Sequence, residues 1–457
     1  MAGLNGIMDN SLSALFAAQA GLATTGHNIS NANTPGYSRQ EVLFAARKPS
    51  ILPYGAIGRG VEIEGIRRIQ DDFLLNNLRI QQSRLESYSQ TDTALYEIEA
   101  ILGSVDNDHL GNALTNFFNA WNSLSQPPIN PNLKQNVVAT GISLVNDFHA
   151  INDSLEDLEG QIEVSIQAEI ENLNRMLREV ANMNEQIMGA ETNGEPANDL
   201  RDQRDLLITE ISKIAEVSIL EREDGSKDVI LAGRTMVTRD RVSEFTSTYR
   251  QGENGNYEMV IVTEGTLRDV NLSPGRLQGL LESRDVQVRG VREKLDAVAA
   301  KMIQEVNSLH TQGRTLSSSG LVFFTGDSMH TIEVNTAIAL DSTLVATGRT
   351  DEIGDNTIAL EIANLANVSA DGSGEQTVSD RYRSVLIDVA SNRASYEFLV
   401  ENQTNVVASL ETKLASVAGV SLDEEGANMV KYQNAYNAAA KVISTVQEMY
   451  DALMSMV

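Results

Sequence analysis

Apolar positions at the two ends of this chain fall into heptads. Met429, Tyr436, Ile443, Tyr450 and Val457 are seven apart, and Tyr432, Ala439, Val446 and Leu453 are seven apart between them. Alternating steps of three and four, with every position apolar or aromatic, define a coiled-coil seam. The first residues follow a weaker version of the rhythm, with Leu4, Met8, Leu15, Ala18 and Leu22 interrupted by Ser11. A helix of about 29 residues is on the order of 43 Å long. Neither stripe has a globular neighbour in sequence to cover it. The expectation is that the two ends pair with each other, and then with copies of themselves or relatives.

Between the ends the periodicity is mostly helical. The first helix is expected over about Leu4 to Thr25. It is followed by an irregular, asparagine-rich segment holding Asn28, Asn31 and Asn33, then Thr34-Pro35-Gly36-Tyr37, a type II turn pattern with Pro setting φ and Gly accepting φ > 0. Residues 41–66 read as extended, with Gly55, Gly58 and Gly60 as a flexible β-loop. Helices are expected over 67–102, with Phe73, Leu78, Leu85 and Leu95 on one side, then 109–125, 131–157, 158–188 and 200–215. The texture changes at Val217. Strand-like runs flank Asp224-Gly225, a hairpin signal, and Tyr257–Val262 adds another strand. Helix resumes over 274–310 and 379–416, and Ser421-Leu422-Asp423-Glu424 is a capping box opening the last helix. Gly426 places the start of that helix beyond it, because glycine costs about 1 kcal/mol in a helix interior.

The expected fold is mainly α with a β-rich insertion: paired terminal helices, a long-helix rod domain and a small outer β domain. The expected divisions are 1–40 with 421–457 as the terminal coiled coil, and 41–216, 273–316 and 351–420 as the rod. Residues 217–272 form the outer domain, and 317–350 is a β/loop segment left without a domain.

A formal charge of −28 repels a nucleic-acid backbone and disfavours an anionic membrane surface. Sixteen acids against five bases between Ile151 and Glu216 read as solvated helix faces. The chain has no cysteine, which excludes disulfides, thiolate metal sites and a cysteine nucleophile. The first basic residue is Arg39, so no cleavable secretory leader is expected. The five histidines, His27, His109, His149, His310 and His330, never pair at ligand spacing. Asp106-Asn107-Asp108 starts like a calcium loop, but Phe117 stands where the bidentate glutamate belongs. Asp199, Asp202 and Asp205 read as ordinary ion pairs with Arg201 and Arg204. No catalytic residue, metal or cofactor is expected.

Asn28–Gln40 and Val420–Val457 together resemble the flagellar axial proteins, the family that builds rod, hook and junction. The C-terminal likeness rests on Ser421-Leu422-Asp423-Glu424-Glu425, Tyr432-Gln433-Asn434-Ala435-Tyr436, Ala440–Thr445 and Glu448-Met449-Tyr450. Thr34–Gln40, Asp202–Leu207, Leu321–Gly326 and Gly354-Asp355-Asn356 point to the junction members that follow the hook. His27 and Ser30 depart from the family's common Asn and Ala.

The resemblance implies a structural subunit, exported uncleaved through the flagellar type III apparatus and assembled by helical self-association into a ring between hook and filament. Implied partners are copies of itself, hook protein on one side, a second junction protein on the other, and a cytoplasmic export chaperone on the C-terminal helix. Nucleic acid and membrane are not among them. Axial contacts are expected at Leu4, Met8, Leu15, Leu22, Tyr432, Tyr436, Ile443, Val446, Tyr450 and Leu453. The turn motif, Asn28, Asn31, Asn33, Thr34, Pro35, Gly36 and Tyr37, would aim the first helix. Hook protein or flagellin is the alternative within the class. A filament-displayed adhesin or hydrolase is the alternative outside it.

Overall fold

The computed structural model describes residues 2–52, 55–103, 109–251, 257–265, 270–315, 320–350, 352–368 and 376–455. Helix α1 (Ala2–Asn31) leads into strands β1 (Gln40–Ala46), β2 (Ser50–Leu52), β3 (Gly55–Ile57) and β4 (Val61–Arg68). Helices α2 (Asp72–Leu102), α3 (His109–Leu124), α4 (Pro131–Ala190) and α5 (Asn198–Ile214) follow. Next come strands β5 (Val217–Glu221), β6 (Lys227–Leu231), β7 (Arg234–Thr238), β8 (Arg241–Val242), β9 (Phe245–Gln251) and β10 (Tyr257–Thr263). The remainder is α6 (Arg276–Glu282), α7 (Arg289–His310), β11 (Phe324–Thr325), β12 (Glu333–Val334), α8 (Thr336–Leu340), α9 (Thr357–Asn364), α10 (Val378–Ala418) and α11 (Leu422–Met454). A π-helical turn, Ser283–Val288, joins α6 to α7.

Two compact units result, with boundaries inside α2, α4 and α10. The first holds Met1–Arg84, Ile170–Gly275 and Gln403–Val457; the second holds Leu85–Glu169 and Arg276–Asn402.

In the first unit α1 and α11 pair antiparallel. Asn28 bonds Glu425, the Tyr432 ring covers Gly21, and the Tyr450 hydroxyl donates to the Asn5 side chain. Strands β1 and β4 form an antiparallel ribbon from Gln40↔Arg68 to Ala46↔Val61, with a bulge at Leu43/Phe44. Gly60 (φ +90°) closes on Ser13 of α1, where a Cβ would strike the serine hydroxyl. The insertion is a β5-β6-β7-β8 meander plus a separate β9–β10 hairpin. Gly225, at φ +80°, supplies the left-handed turn between β5 and β6.

In the second unit α4 runs antiparallel to the continuous stretch of α6, π-turn and α7 along an ion-pair ladder. Arg276 reaches Glu169 (2.9 Å), Arg284 reaches Glu163 (3.4 Å), and Arg289 and Arg292 share Glu159 (2.8 and 3.0 Å). Glu159, Glu163 and Glu169, read as solvated, therefore serve helix pairing. An aromatic cluster of Phe117, Phe118, Trp121, Phe323 and Phe324 fills the core beside His310.

Several expected boundaries move. The first helix runs on to Asn31, so His27–Asn31 is helical rather than irregular. Helix α2 starts at Asp72, because Asp71 accepts the Leu74 N–H at 3.0 Å and β4 occupies the preceding residues. Phe73 is 83% exposed, while Leu74 and Leu78 take the buried face. The two helices expected over 131–188 are one helix of 60 residues, about 90 Å long. Gly141, Gly160 and Gly189 lie within it without breaking it, and the ladder beside Gly160 offsets the helix cost there. The last helix starts before Gly426, not after it, held by the Ser421 side chain accepting from the Glu424 N–H. Asp106-Asn107-Asp108 and Val457 lie outside the described residues.

Candidate assembly interface

Asn28 is the point where the terminal pair is fastened to the ribbon. Only 1% exposed, its side chain reproduces a backbone pair with Gln40, donating to the carbonyl at 2.9 Å and accepting the N–H at 3.0 Å. Its oxygen also accepts from the Tyr37 hydroxyl at 2.7 Å, and its amide donates to Glu425 at 3.2 Å. These tertiary partners remove the asparagine's usual competition with helical backbone, which is why α1 continues through it. Gly36 (φ +77°) makes the turn, with the Tyr37 N–H donating to the Thr34 carbonyl at 3.2 Å. Asn31 bonds the His27 carbonyl, and Thr34 bonds Asn31. Asn33 and Pro35 are exposed. Asn33 makes no side-chain hydrogen bond among the described residues.

Glu425 is equally buried. Arg39 holds it at 2.7 Å and reaches Glu424 at 2.7 Å, while the Arg39 N–H donates to Ala418 at the end of α10. A helix N-terminus suits these carboxylates, but the specific reason for Glu425 is this Asn28–Arg39 clamp.

A second layer beneath the turn was not foreseen. The Ser38 N–H donates to Asp202 at 2.9 Å, and Gln40 bonds Asp199 at 2.8 Å. Arg68 bridges Asp202 (2.7 Å) and Asp205 (3.0 Å), and Lys227 reaches Asp205 at 2.6 Å. The expected pairing with Arg201 and Arg204 does not occur: Arg201 takes Glu191 at 2.6 Å, and buried Arg204 donates to Asn184 and the Gly225 carbonyl. The signal was present, since Asp202 and Asp205 continue the helix row of Ile208 and Ile211, and a carboxylate on a core stripe is a buried one. Burial works against the Asp205 charge, yet Lys227 and Arg68 outweigh it and hold the carboxyl down at about 2. Burial, with Asp199, Asp202 and Glu425 nearby, pushes Tyr37 above the usual phenol range and keeps it a donor.

The expected axial residues divide into two groups. Ala439 and Val446 are buried and Tyr432 half-buried, so this heptad row meets α1. In the other row Met429 and Tyr436 are exposed, with Ile443 and Tyr450 half-buried; Leu453, which ends the first row, is 46% exposed. On α1, Leu4, Met8, Leu15 and Leu22 are only half-buried. Apart from Asn28, the buried positions there are small: Ser11, Ser13, Ala17, Ala18, Gly21, Thr24 and Thr25. Helix α1 lies between α11 and the ribbon, and close approach on two sides selects small residues.

A family model described as the flagellar hook-associated protein FlgK helical domain matches residues 95–324, half of the chain. The chain belongs to the FlgK family of flagellar hook-associated proteins. Two more models match the ends: a flagella basal body rod protein model at 8–37 and the flagellar basal body rod FlgEFG protein C-terminal model at 415–456. They cover α1 with its turn, and α11. Flagellar hook-associated protein 1 of Bacillus subtilis is 27% identical over 97% of this chain and 96% of its own length. The protein of the same name from Escherichia coli is 23% identical over 99% and 100%. The solved structure of the flagellar hook junction protein FlgK from Burkholderia pseudomallei shares the fold, with a TM-score of 0.66 and 14% identity over 75% of this chain and all of that one. This FlgK-family chain is a structural component of the flagellar hook–filament junction. Among the described residues, no cluster of three or more His, Cys, Asp or Glu side chains is placed to hold a metal.

Proposed function

We propose that this FlgK-family chain works without catalysis, by helical self-assembly through its terminal pair into a ring of about one turn. The half-covered seam on α11 carries this reading. One partner helix covers the Tyr432–Ala439–Val446 row and leaves Met429, Val430, Tyr436, Val442, Met449 and Leu453 exposed. An apolar strip of this length on a soluble chain marks a contact surface, and further helices of the same kind fit it.

In this reading the paired α1 and α11 form the inner tube, the long helices of 41–216, 273–316 and 351–420 the rod, and 217–272 an outward domain. Hook protein lies on one side and a second junction protein on the other. Export is uncleaved and by the flagellar type III route, with a cytoplasmic chaperone covering α11 beforehand. A net charge of −28 weighs against nucleic-acid partners. Among the described residues no helix is long and apolar enough to cross a membrane.

The test is Y436D/M449D, on the exposed face of α11. The variant should keep the monomer's circular dichroism and protease pattern yet fail to join flagella in cells lacking their own subunit. Normal incorporation would overturn the reading.

A further inference from the structure

The β1–β4 ribbon lies alongside α1: Gln40 and Arg68 start it beside Asn28, and Gly60 meets Ser13. Fifteen helix residues and seven strand residues both span roughly 23 Å, so the two run in step. Asn10 of α1 donates to the Gly58 carbonyl at 3.2 Å, and β2 and β3 extend the hairpin from there. They carry Ile51, 88% exposed, and Ile57, 45% exposed. Arg47, Lys48 and Arg59 flank them, exposed and without an ion-pair partner among the described residues. In a chain of charge −28, this is a basic, apolar tip.

At the other end of the ribbon a groove of about 420 Å³ opens beside Tyr37. Leu75, Leu206 and Leu414 line it together with Glu210 and Glu411. Lys213 also lines it and pairs with Glu210 at 2.8 Å, while among the described residues Glu411 accepts from Gln82 and has no ion-pair partner, so the lining keeps a negative excess. Tip and groove are complementary in polarity and charge, and they sit at opposite ends of one ribbon.

We propose that the β2–β3 tip of one copy docks in the Leu206–Leu414 groove of a neighbouring copy. Two different patches make the contact, so it is heterologous and repeats from copy to copy rather than closing in a pair. The proposal rests on the self-assembly reading above and names a contact outside the terminal helices.

The chain has no cysteine, so an I51C/L206C variant carries only the two probe thiols. It is expressed in cells lacking their own subunit, and pelleted flagella are treated with a short bismaleimide. A ladder of dimers and longer products is expected. A product within one chain, or none in pelleted protein, overturns the docking and leaves self-assembly standing. Wild-type chain that fails to pellet with flagella overturns both. Charge exchange is the second arm: R47E/R59E should lower incorporation roughly tenfold, and adding E210K/E411K should restore it to within about threefold. Absence of that rescue also overturns the docking.

Discussion

Asn28 and Glu425 are 397 residues apart in sequence and 3.2 Å apart in space. Through them the first helix, the turn after it and the last helix share one buried polar cluster with Arg39 and Tyr37. Removing either partner strands several groups at once, because a buried charge or amide left unpaired costs more than its bond contributes.

N28A should therefore destabilise the first unit by about 2–4 kcal/mol, and E425A by about 3–5 kcal/mol. In a double-mutant cycle the two losses should be strongly non-additive. Additive losses in denaturant titrations would show that the pair is not coupled.

Gly21 leaves no room for a side chain: a Cβ there would lie 2.7 Å from the Tyr432 ring. G21L should separate α1 from α11 and speed proteolysis of both ends. G21L/Y432A should recover much of the protection. Equal digestion of G21L and wild type would contradict the contact.

His310 is buried and neutral. It donates from Nδ1 to the Leu321 carbonyl at 2.5 Å and accepts the Ala346 N–H at 3.0 Å. Burial pulls it down to about 4. The unfolded chain therefore binds a proton first as pH falls from about 6.5, and stability is lost down to about pH 4, by up to about 3 kcal/mol. Chemical denaturation at pH 7 and pH 5 should show this loss, and H310Q should flatten it. An unchanged slope in H310Q would assign the pH dependence elsewhere.

Asp205 carries the opposite sign. Its carboxyl is held at about 2, so its contribution is complete above about pH 4 and disappears as pH drops toward 2. At pH 7, D205N leaves Lys227 and Arg68 beside an uncharged group and should cost about 3–5 kcal/mol. Thermal unfolding at pH 7 measures it. A midpoint within a degree of wild type would mean that water already pairs these cations.

Local chemistry made much of the architecture legible. The heptads announced the terminal pair, Gly36 and Gly225 their turns, and the change of period at Val217 the β insertion. Each signal is carried by neighbouring residues, and backbone preference or amphipathic period acts at that range. The capping box at Ser421 is of the same kind.

Which buried polar groups meet was decided only by tertiary structure. Nothing near Glu425 in sequence indicates Asn28 or Arg39, and nothing near Asp205 indicates Lys227 and Arg68. The same holds for the α4–α7 ladder, whose glutamates look solvated until a second helix supplies arginines. The small residues of α1 became its contact face because the ribbon and α11 press on two sides, a condition no periodicity records. Period fixes what a segment can become. Ion-pair and hydrogen-bond partners depend on which segments the whole chain brings within about 3 Å of each other.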